Sequence, residues 1–437
     1  MDKIIINGNR RLNGEITVQG AKNSVLPILV ATLLVNGVSV IHNCPILSDV
    51  EATIKILRYL GCIVTREGHT VTVDSTNVSR NDVPDNLMRE MRSSIVFLGG
   101  ILGRMGKAVL STPGGCEIGL RPIDLHLSSM EQFGATVTTE NGFIVCSAEE
   151  KGLTGTRITL SFPSVGATEN IILAAVLAKG TTIITNAARE PEISDLADFL
   201  NRCGARIHGA GDSTVTIEGV SRLHSTEHTV IPDRIVASTY MIACAMTNGK
   251  ICLRDIIPAH IGPTIQPLRE AGCDITVSGR WVCLNAPPKL KRIRMIRTMP
   301  YPGFPTDVQA QMMALTCVCE GTSVIVENIF ESRFKHIGEL LRFGAKINVE
   351  GRMAVIEGVK HLNGASVRAT DLRGGSAMFL AGLNAYGTTE ITEIHHIDRG
   401  YEQPEKVLED LGADIKRVKD DEKNQQSEYF PQQSTFG

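Results

Sequence analysis

A short motif that recurs six times along the chain constrains its fold more than any other feature. Each copy is a helical run followed by Gly, then Ala or Cys, then a strand-like run, as in RYLGCIV and EQFGATV. The glycines of the six copies lie 68–73 residues apart, at Gly61, Gly134, Gly204, Gly272, Gly344 and Gly412. A glycine in this place is typical of the left-handed residue that ends a helix. The spacing therefore predicts six structural units of about 70 residues each.

A second series of glycines recurs in phase with the first and ends apolar segments such as SVLPILVATLLVNG. Its members are Gly37, Gly106, Gly180, Gly249, Gly321 and Gly387. These segments are apolar on nearly every face, which predicts buried helices, whereas YEQPEKVLEDLG keeps one polar face. Each unit is thus predicted to contain one buried helix, one amphipathic helix and short strands, with a hairpin in IVTREGHTVTVDS.

The six units leave two arrangements open, one ring or two domains of three units. Because 437 residues are long for one hydrophobic core, two domains are favoured. The chain is predicted to cross between them near HTVIPDR, at residues 228–234. A first strand, residues 3–20, precedes the first buried helix and must pair elsewhere in the chain. The polar tail beyond Val418 is predicted to be disordered.

Composition and motifs exclude several classes of function. The net charge of −3 gives no indication of a nucleic-acid surface, and the longest apolar stretch, VLPILVATLLV, is too short to span a bilayer. The N-terminus lacks the apolar core of a signal peptide, so we expect a cytoplasmic protein. Phosphate-binding GxxxxGK[ST], dinucleotide-binding GxGxxG and GxSxG motifs are absent. No metal site is expected at His395-His396 or at Cys317 and Cys319.

One of the eleven cysteines differs from the others in its surroundings. Ten lie singly in apolar runs and are predicted to be small buried thiols in a reducing compartment. Cys116 instead follows Pro-Gly-Gly in the polar stretch STPGGCEIGLRPIDLH. This pattern predicts a mobile loop that can carry a thiol over a bound substrate.

Polar residues recur where each buried helix is expected to begin. They are Lys22, Asn23, Arg92, Ser164, Gly166, Asp233, Arg234, Asp307, Asp371 and Arg373. Helix N-termini bind anions, but Asn, Ser and Asp also cap helices, and capping is favoured for Ser164 and Asp233. The cations Lys22, Arg92 and Arg373 oppose the helix dipole unless an anion is present. The pattern therefore predicts a cleft that binds an anionic substrate.

Six segments occur in one order: GAKNS (20–24), MRSSI (91–95), PGGCEIGLRPIDLH (113–126), SVGAT (164–168), GFPTD (303–307) and IDRGYE (397–402). Together they resemble the UDP-N-acetylglucosamine enolpyruvyl transferase (1-carboxyvinyltransferase) family, and the resemblance covers about residues 1–418. It implies an α/β fold of two inside-out barrel domains, each of three βαβαββ repeats, with the active site in the interdomain cleft. Residues 22–229 would form one domain, residues 1–21 with 230–418 the other, and residues 419–437 a tail.

The same resemblance implies an activity and its catalytic residues. The enolpyruvyl group of phosphoenolpyruvate would move to the 3′-hydroxyl of UDP-N-acetylglucosamine, by addition and then elimination through a tetrahedral phospho-ketal. This is the first committed step of peptidoglycan synthesis. Cys116 would act as the acid, and as the target of the phosphoenolpyruvate mimic fosfomycin, while Asp307 would act as the base. The residue that removes the methyl proton during elimination stays open.

The resemblance also assigns ligands to a monomeric enzyme that needs two small-molecule substrates and no cofactor or metal. Lys22, Arg121 and Arg399 would hold the phosphate and carboxylate, supported by Arg92, Arg333 and Arg373. The contacts to the sugar nucleotide would be Asn23, Arg121, Pro122, Ile123, Asp124, Leu125, Ser164, Val165, Gly166, Asp307 and Ile329. The chain departs from the family at Phe162-Pro163, where a basic residue that helps to hold the diphosphate is common.

Two rival functions follow from the same fold. The nearest is 5-enolpyruvylshikimate-3-phosphate synthase, whose pattern lacks the PGGC loop. A non-catalytic paralogue that keeps the sugar-nucleotide site would have lost Cys116, Asp307 or Lys22, and all three are present. Whether the chain is a main or an auxiliary copy of the enzyme stays open.

Overall fold

The computed structural model describes residues 2–111 and 123–419, apart from the side chain of Arg92. Its buried apolar side chains form two separate clusters. One contains residues between Ala21 and Val230, and the other contains residues from Ile4 to Val18 together with residues from Ile235 to Ile415. The molecule is therefore built from two domains, and the N-terminal segment belongs to the same core as the C-terminal half.

The strands of the described residues are β1 (Asp2–Asn7), β2 (Asn13–Thr17), β3 (Val38–His42), β4 (Ile63–Glu67), β5 (Thr70–Asp74), β6 (Asp82–Val83), β7 (Lys107–Ser111), β8 (Ala135–Glu140), β9 (Phe143–Ala148), β10 (Arg157–Thr159), β11 (Thr181–Thr185), β12 (Arg206–His208), β13 (Thr214–Glu218), β14 (Glu227–Thr229), β15 (Lys250–Arg254), β16 (Asp274–Ser278), β17 (Trp281–Asn285), β18 (Met295–Arg297), β19 (Thr322–Val326), β20 (Lys346–Glu350), β21 (Met353–Glu357), β22 (Ser366–Arg368), β23 (Thr388–Thr392) and β24 (Asp414–Lys419).

The α-helices in the same residues are α1 (Lys22–Ala31), α2 (Ser48–Tyr59), α3 (Asp85–Glu90), α4 (Phe97–Met105), α5 (Asp124–Gln132), α6 (Val165–Ala175), α7 (Pro191–Arg202), α8 (Arg234–Met246), α9 (Gly262–Glu270), α10 (Gln309–Thr316), α11 (Ile337–Arg342), α12 (Leu372–Asn384) and α13 (Pro404–Asp410). Short 3₁₀ helices cover Thr32–Leu34, Arg92–Val96, Pro258–Ile261, Thr306–Val308 and Ile394–Arg399.

Six four-stranded sheets confirm the six predicted units. Their strand orders are β14-β3-β5-β4, β6-β7-β9-β8 and β10-β11-β13-β12 in one domain, and β2-β15-β17-β16, β18-β19-β21-β20 and β22-β23-β1-β24 in the other. In each sheet one edge strand runs parallel to its neighbour and the remaining pairs are antiparallel, as for β14, β3 and β5. The six repeat glycines all adopt the predicted left-handed conformation, with φ of 88–104°.

The helices predicted to be buried lie inside the sheets, which gives the inside-out arrangement. Every residue of α12 from Leu372 to Leu383 is buried, and α10 is buried along its whole length. The amphipathic helix α7 buries Leu196 and Leu200 on its inner face. Within the described residues, no helix is long and apolar enough to cross a membrane.

The prediction of one strand within residues 3–20 is partly wrong, because two strands form there. β1 pairs with β23 and β24, and β2 pairs with β15, so the two strands complete different sheets. Between them, Asn9 has a φ of 61°, and a side chain at Gly8 would meet the Ala385 carbonyl oxygen at 2.3 Å. The left-handed turn at Asn9 and the close approach of Gly8 to Ala385 explain why the chain does not continue as one strand. The predicted pairing with distant parts of the chain is confirmed.

The cysteines also depart from prediction in one place. Eight of those in the described residues are buried free thiols, as their apolar neighbours predict. Cys252 and Cys283 are instead half-buried and joined by a disulfide. They lie directly opposite each other on β15 and β17. Side chains alternate between the two faces of a strand, and because neighbours such as Ile251 point inward, both cysteines point outward. The reading of this pair as separate buried thiols is wrong.

Candidate active site

The polar residues at the helix starts lie where the sequence places them, and three of them are caps. Ser164 Oγ accepts a hydrogen bond from the Ala167 N–H at 3.3 Å. Asp233 Oδ1 accepts from the N–H groups of Ile235 and Val236 at 2.8 and 3.0 Å, and Asp371 caps α12 in the same way. The capping interpretation of Ser164 and Asp233 is therefore confirmed.

Asp307 is at the centre of a cluster of buried cations. It lies in the 3₁₀ turn before α10, where its Oδ1 accepts from Arg333 Nη2 at 2.8 Å and its Oδ2 from Arg373 Nη2 at 3.1 Å. Asn23 Nδ2 donates to the same Oδ2 at 3.3 Å. Burial alone would raise the pKa of Asp307, but Arg373, Arg333 and Lys22 outweigh burial and hold that pKa well below its usual range. These cations therefore hold the carboxylate in its ionised form.

A second cluster joins Lys22 to Arg399 through a carboxylate that the sequence reasoning missed. Asp49 Oδ2 accepts from Lys22 Nζ at 3.1 Å, and Asp49 Oδ1 accepts from Arg399 Nε at 2.9 Å. Asp49 follows Ser48 at the start of α2 and reads in the sequence as an ordinary acidic residue of a helix first turn. No local signal distinguishes it. Its partners can be found only from the folded chain.

The two clusters meet at the interface between the domains. Lys22, Asn23 and Asp49 belong to the domain built around α1, whereas Asp307, Arg333, Arg373 and Arg399 belong to the other. The backbone N–H of Lys22 also donates to Asp233 Oδ2 at 3.1 Å, which ties the start of α1 to the start of α8. Lys22 and Arg373, two of the three cations predicted to need an anion at a helix start, are thus paired with carboxylates of the chain itself.

A further interdomain contact, which the sequence reasoning did not foresee as a pair, lies beside these clusters. Arg234 Nε donates to Glu192 Oε1 at 2.9 Å, and the Arg234 guanidinium lies 5.6 Å from the centre of the Tyr301 ring. The Tyr301 N–H donates to Glu190 Oε1 at 3.3 Å. These contacts hold the two domains together on the side of α7 and α8.

Six of the predicted sugar-nucleotide contacts lie at the starts of α5 and α6. Asp124 begins α5 and is exposed, with Ile123 and Leu125 half-buried on either side. At the start of α6, Ser164, Val165 and Gly166 are half-buried. A side chain added at Gly166 would meet His126 Cε1 at 3.1 Å, so the two helix starts are in close contact.

The loop that carries Ile329 is tied to the Asp307 cluster. The Ile329 N–H donates to Glu327 Oε1 at 2.8 Å, and Thr306 Oγ1 donates to Glu327 Oε2 at 3.0 Å. Thr306 directly precedes Asp307. The position of this loop therefore depends on the same turn that places the carboxylate.

Four predicted residues have no described side chain. Cys116, Arg121 and Pro122 lie outside the described residues, and Arg92 begins the 3₁₀ helix Arg92–Val96 without a described side chain. In the ranges 2–111 and 123–419, no three His, Cys, Asp or Glu side chains lie together as metal ligands would. The described cluster combines fixed cations with an ionised carboxylate, which suits the binding of a multiply charged anion and proton transfer beside it.

Comparison with known proteins gives matches over nearly the whole chain. A sequence model of the family EPSP synthase (3-phosphoshikimate 1-carboxyvinyltransferase) matches residues 6–422. UDP-N-acetylglucosamine 1-carboxyvinyltransferase 2 of Caldanaerobacter subterraneus subsp. tengcongensis is 52% identical over 418 residues, which is 96% of this chain and 100% of the relative. UDP-N-acetylglucosamine 1-carboxyvinyltransferase of Geobacter metallireducens is 50% identical over 420 residues, again 96% of this chain and 100% of the relative.

Solved structures show the same fold. The enolpyruvyl transferase NikO from Streptomyces tendae matches with a TM-score of 0.86 and 27% identity, covering 95% of this chain and 99% of its own. EPSP synthase from Acinetobacter baumannii matches with a TM-score of 0.74 over 96% of this chain and 100% of its own, at 18% identity. At that identity the likeness concerns the fold alone. The two-domain α/β architecture is therefore shared across these proteins.

Proposed function

The chain belongs to the EPSP synthase (3-phosphoshikimate 1-carboxyvinyltransferase) family, and we propose that it transfers the enolpyruvyl group of phosphoenolpyruvate to the 3′-hydroxyl of UDP-N-acetylglucosamine, releasing phosphate. The observation that carries this proposal is the identity of about half of all residues, over the whole length, with relatives named for that activity. The reaction is the first committed step of peptidoglycan synthesis. A shikimate phosphate as acceptor is not favoured, because the likeness to EPSP synthase structures is only 18%.

Phosphoenolpyruvate carries a phosphate and a carboxylate, which need several fixed cations. Lys22 and Arg399 are already held together by Asp49, and in our proposal they bind the donor with Arg121. Arg333 and Arg373, both 4% exposed, add positive charge on the side of Asp307, and Arg92 supports them. Preorganised cations in a buried place stabilise developing negative charge without the cost of reorienting water.

Asp307 is proposed as the base that takes the proton of the sugar hydroxyl. Its hydrogen bond from Asn23 places it between the domains, where a sugar held by Asn23 would present its hydroxyl. An anion that binds Arg333 or Arg373 competes with Asp307 for their N–H groups. This competition raises the pKa of Asp307 and makes the carboxylate a stronger base when the donor is bound.

Cys116, which lies outside the described residues, is proposed as the acid. Its thiol gives a proton to the methylene carbon of phosphoenolpyruvate while the sugar oxygen bonds to the neighbouring carbon, which forms the tetrahedral phospho-ketal. Elimination then removes a proton from the new methyl group and breaks the bond to phosphate.

The sugar nucleotide is proposed to bind along residues 121–125, 164–166 and Ile329. Phe162 is 43% exposed and, like Pro163, carries no charge. The diphosphate would therefore depend on the backbone N–H groups at the start of α6. We further propose that the protein is a cytoplasmic monomer with domains of residues 22–229 and of residues 1–21 plus 230–418, followed by a tail of residues 419–437.

The acceptor is tested by mixing the protein with phosphoenolpyruvate and either UDP-N-acetylglucosamine or shikimate 3-phosphate, and measuring phosphate release. We expect release with UDP-N-acetylglucosamine only. If phosphate were released with shikimate 3-phosphate but not with UDP-N-acetylglucosamine, shikimate 3-phosphate would be the acceptor. Binding of UDP-N-acetylglucosamine without turnover would indicate a non-catalytic protein.

A further inference from the structure

The carboxylate of Asp49 connects two cations that belong to different domains. It lies on α2 and is 1% exposed, and its two oxygens accept three N–H groups. Oδ2 is shared between Lys22 Nζ at 3.1 Å and Arg399 Nη2 at 3.3 Å, while Oδ1 accepts Arg399 Nε at 2.9 Å. The Arg399 fork is therefore held in one plane, with Lys22 beside it.

We propose that Asp49 is a positioning residue of the transfer reaction, whose carboxylate holds Lys22 and Arg399 in one geometry around the binding place of the anionic donor. The inference rests on the proposed function and extends it to a residue that touches neither reacting carbon. Arg399 reaches Asp49 across the interface between the domains. Loss of the carboxylate would therefore disturb both the cation arrangement and the closed contact between the domains.

Asp49 also maintains the charge of Lys22. Burial lowers the pKa of Lys22, and Arg399 and Arg373 lower it further, whereas Asp49 and then Asp307 raise it. These charged groups lie on α2, on α12 and on the two 3₁₀ turns that carry Asp307 and Arg399, and Asp233 at the start of α8 accepts the Lys22 backbone N–H at 3.1 Å. Of the two carboxylates, only Asp49 is hydrogen-bonded to Lys22 Nζ. Without Asp49, the pKa of Lys22 falls further, so Lys22 loses its proton, and with it the charge that attracts an anion, at a lower pH.

The Asp49→Asn variant tests this role because an amide has one acceptor oxygen and turns N–H donors toward the cations. We expect kcat/KM for phosphoenolpyruvate to fall about 30-fold, while KM for UDP-N-acetylglucosamine changes by less than about twofold. The alkaline limb of the pH profile of kcat/KM for phosphoenolpyruvate should shift to lower pH by about one pH unit. Asp49→Glu keeps the charge and should restore the alkaline limb even if KM stays raised.

The matched control is Glu51→Gln, two residues further along α2. Glu51 is paired with Arg66 on the outside of the domain, so its loss removes one charge without touching Lys22. Glu51→Gln should have the same KM for phosphoenolpyruvate, and the same alkaline limb of the pH profile, as the unchanged protein. A drop in thermal stability of Asp49→Asn with no change in KM for phosphoenolpyruvate or in the alkaline limb would overturn the inference.

Calorimetric titration with phosphoenolpyruvate separates this inference from the proposed function. Weaker binding of phosphoenolpyruvate by Asp49→Asn than by Glu51→Gln supports the positioning role even if UDP-N-acetylglucosamine proves to be the wrong acceptor. Equal binding by the two variants contradicts it. Failure of the acceptor assay with the unchanged protein would contradict only the proposed function.

Discussion

Asn23 and Asp307, which are 284 positions apart in the sequence, are joined by a hydrogen bond of 3.3 Å between Nδ2 and Oδ2 across the domain interface. Asn23 is the second residue of α1, and Asp307 lies in the turn that leads into α10. The bond brings the proposed holder of the sugar and the proposed base into contact. The packing of the two domains against each other is therefore what brings Asn23 and Asp307 together.

The first prediction concerns Asp307. We expect Asp307→Ala to reduce kcat at least about 100-fold, because the base that accepts the hydroxyl proton is lost. Binding of UDP-N-acetylglucosamine, measured by calorimetry, should be largely retained. Asp307→Asn provides an isosteric control that keeps the packing around Arg333 and Arg373. A variant with an unchanged kcat would remove Asp307 from the mechanism.

The second prediction concerns the reactive thiol. Burial raises the pKa of every free cysteine in the described residues, for example that of Cys203 to about 12 and that of Cys146 to about 11. Such thiols react slowly. Fosfomycin should therefore modify Cys116, and faster when UDP-N-acetylglucosamine is bound, as peptide mass spectrometry would show. Cys116→Ser should take up no adduct, and an adduct on another cysteine would contradict the assignment.

The third prediction concerns stability against pH. His336 is 1% exposed, and burial lowers its pKa to about 4, below the usual value of about 6.5. Between these two pKa values the unfolded chain binds a proton that the folded protein excludes. The associated stability is complete above pH 6.5 and is lost as the pH falls toward 4, by roughly 3 kcal/mol in all.

Denaturant unfolding from pH 7 to pH 4 checks this stability term. His336→Gln should lose less unfolding free energy over that range than the unchanged protein. The exposed His361 supplies the control. His361→Gln should lose as much unfolding free energy between pH 7 and pH 4 as the unchanged protein. An equal loss of unfolding free energy in all three proteins would show that His336 is not responsible for the pH dependence of stability.

The repeat architecture could be predicted because its signals are local. A left-handed glycine at the end of a helix, such as Gly134 or Gly344, is required by the backbone of its own unit. The polar starts of the buried helices could be read in the same way, and Ser164 and Asp233 cap α6 and α8 as expected. Six repetitions made each local signal strong enough to predict the six units, whereas the arrangement of the units into two inside-out barrels followed from the resemblance to the family.

The contacts between units could not be predicted, because they depend on how distant segments meet. Asp49 and Arg399 are 350 positions apart, and nothing in the sequence around Asp49 indicates a partner. The pairing of Cys252 with Cys283 required the register of β15 and β17, and a hydrophobic run alone does not reveal which face a cysteine takes. Lys22 and Arg373 were expected to need the anion of a ligand, whereas in the folded chain they are already paired with Asp49 and Asp307.

The most direct test of enolpyruvyl transfer by addition and elimination is the product formed in D₂O. The protein is incubated with phosphoenolpyruvate and UDP-N-acetylglucosamine, and the product is analysed by NMR and mass spectrometry. The transient methyl group takes a proton from an exchangeable donor, so the product should be the 3′-enolpyruvyl ether with deuterium in its vinyl methylene. One phosphate should be released per product. An enolpyruvyl ether without deuterium, or phosphate release without consumption of UDP-N-acetylglucosamine, would contradict the account.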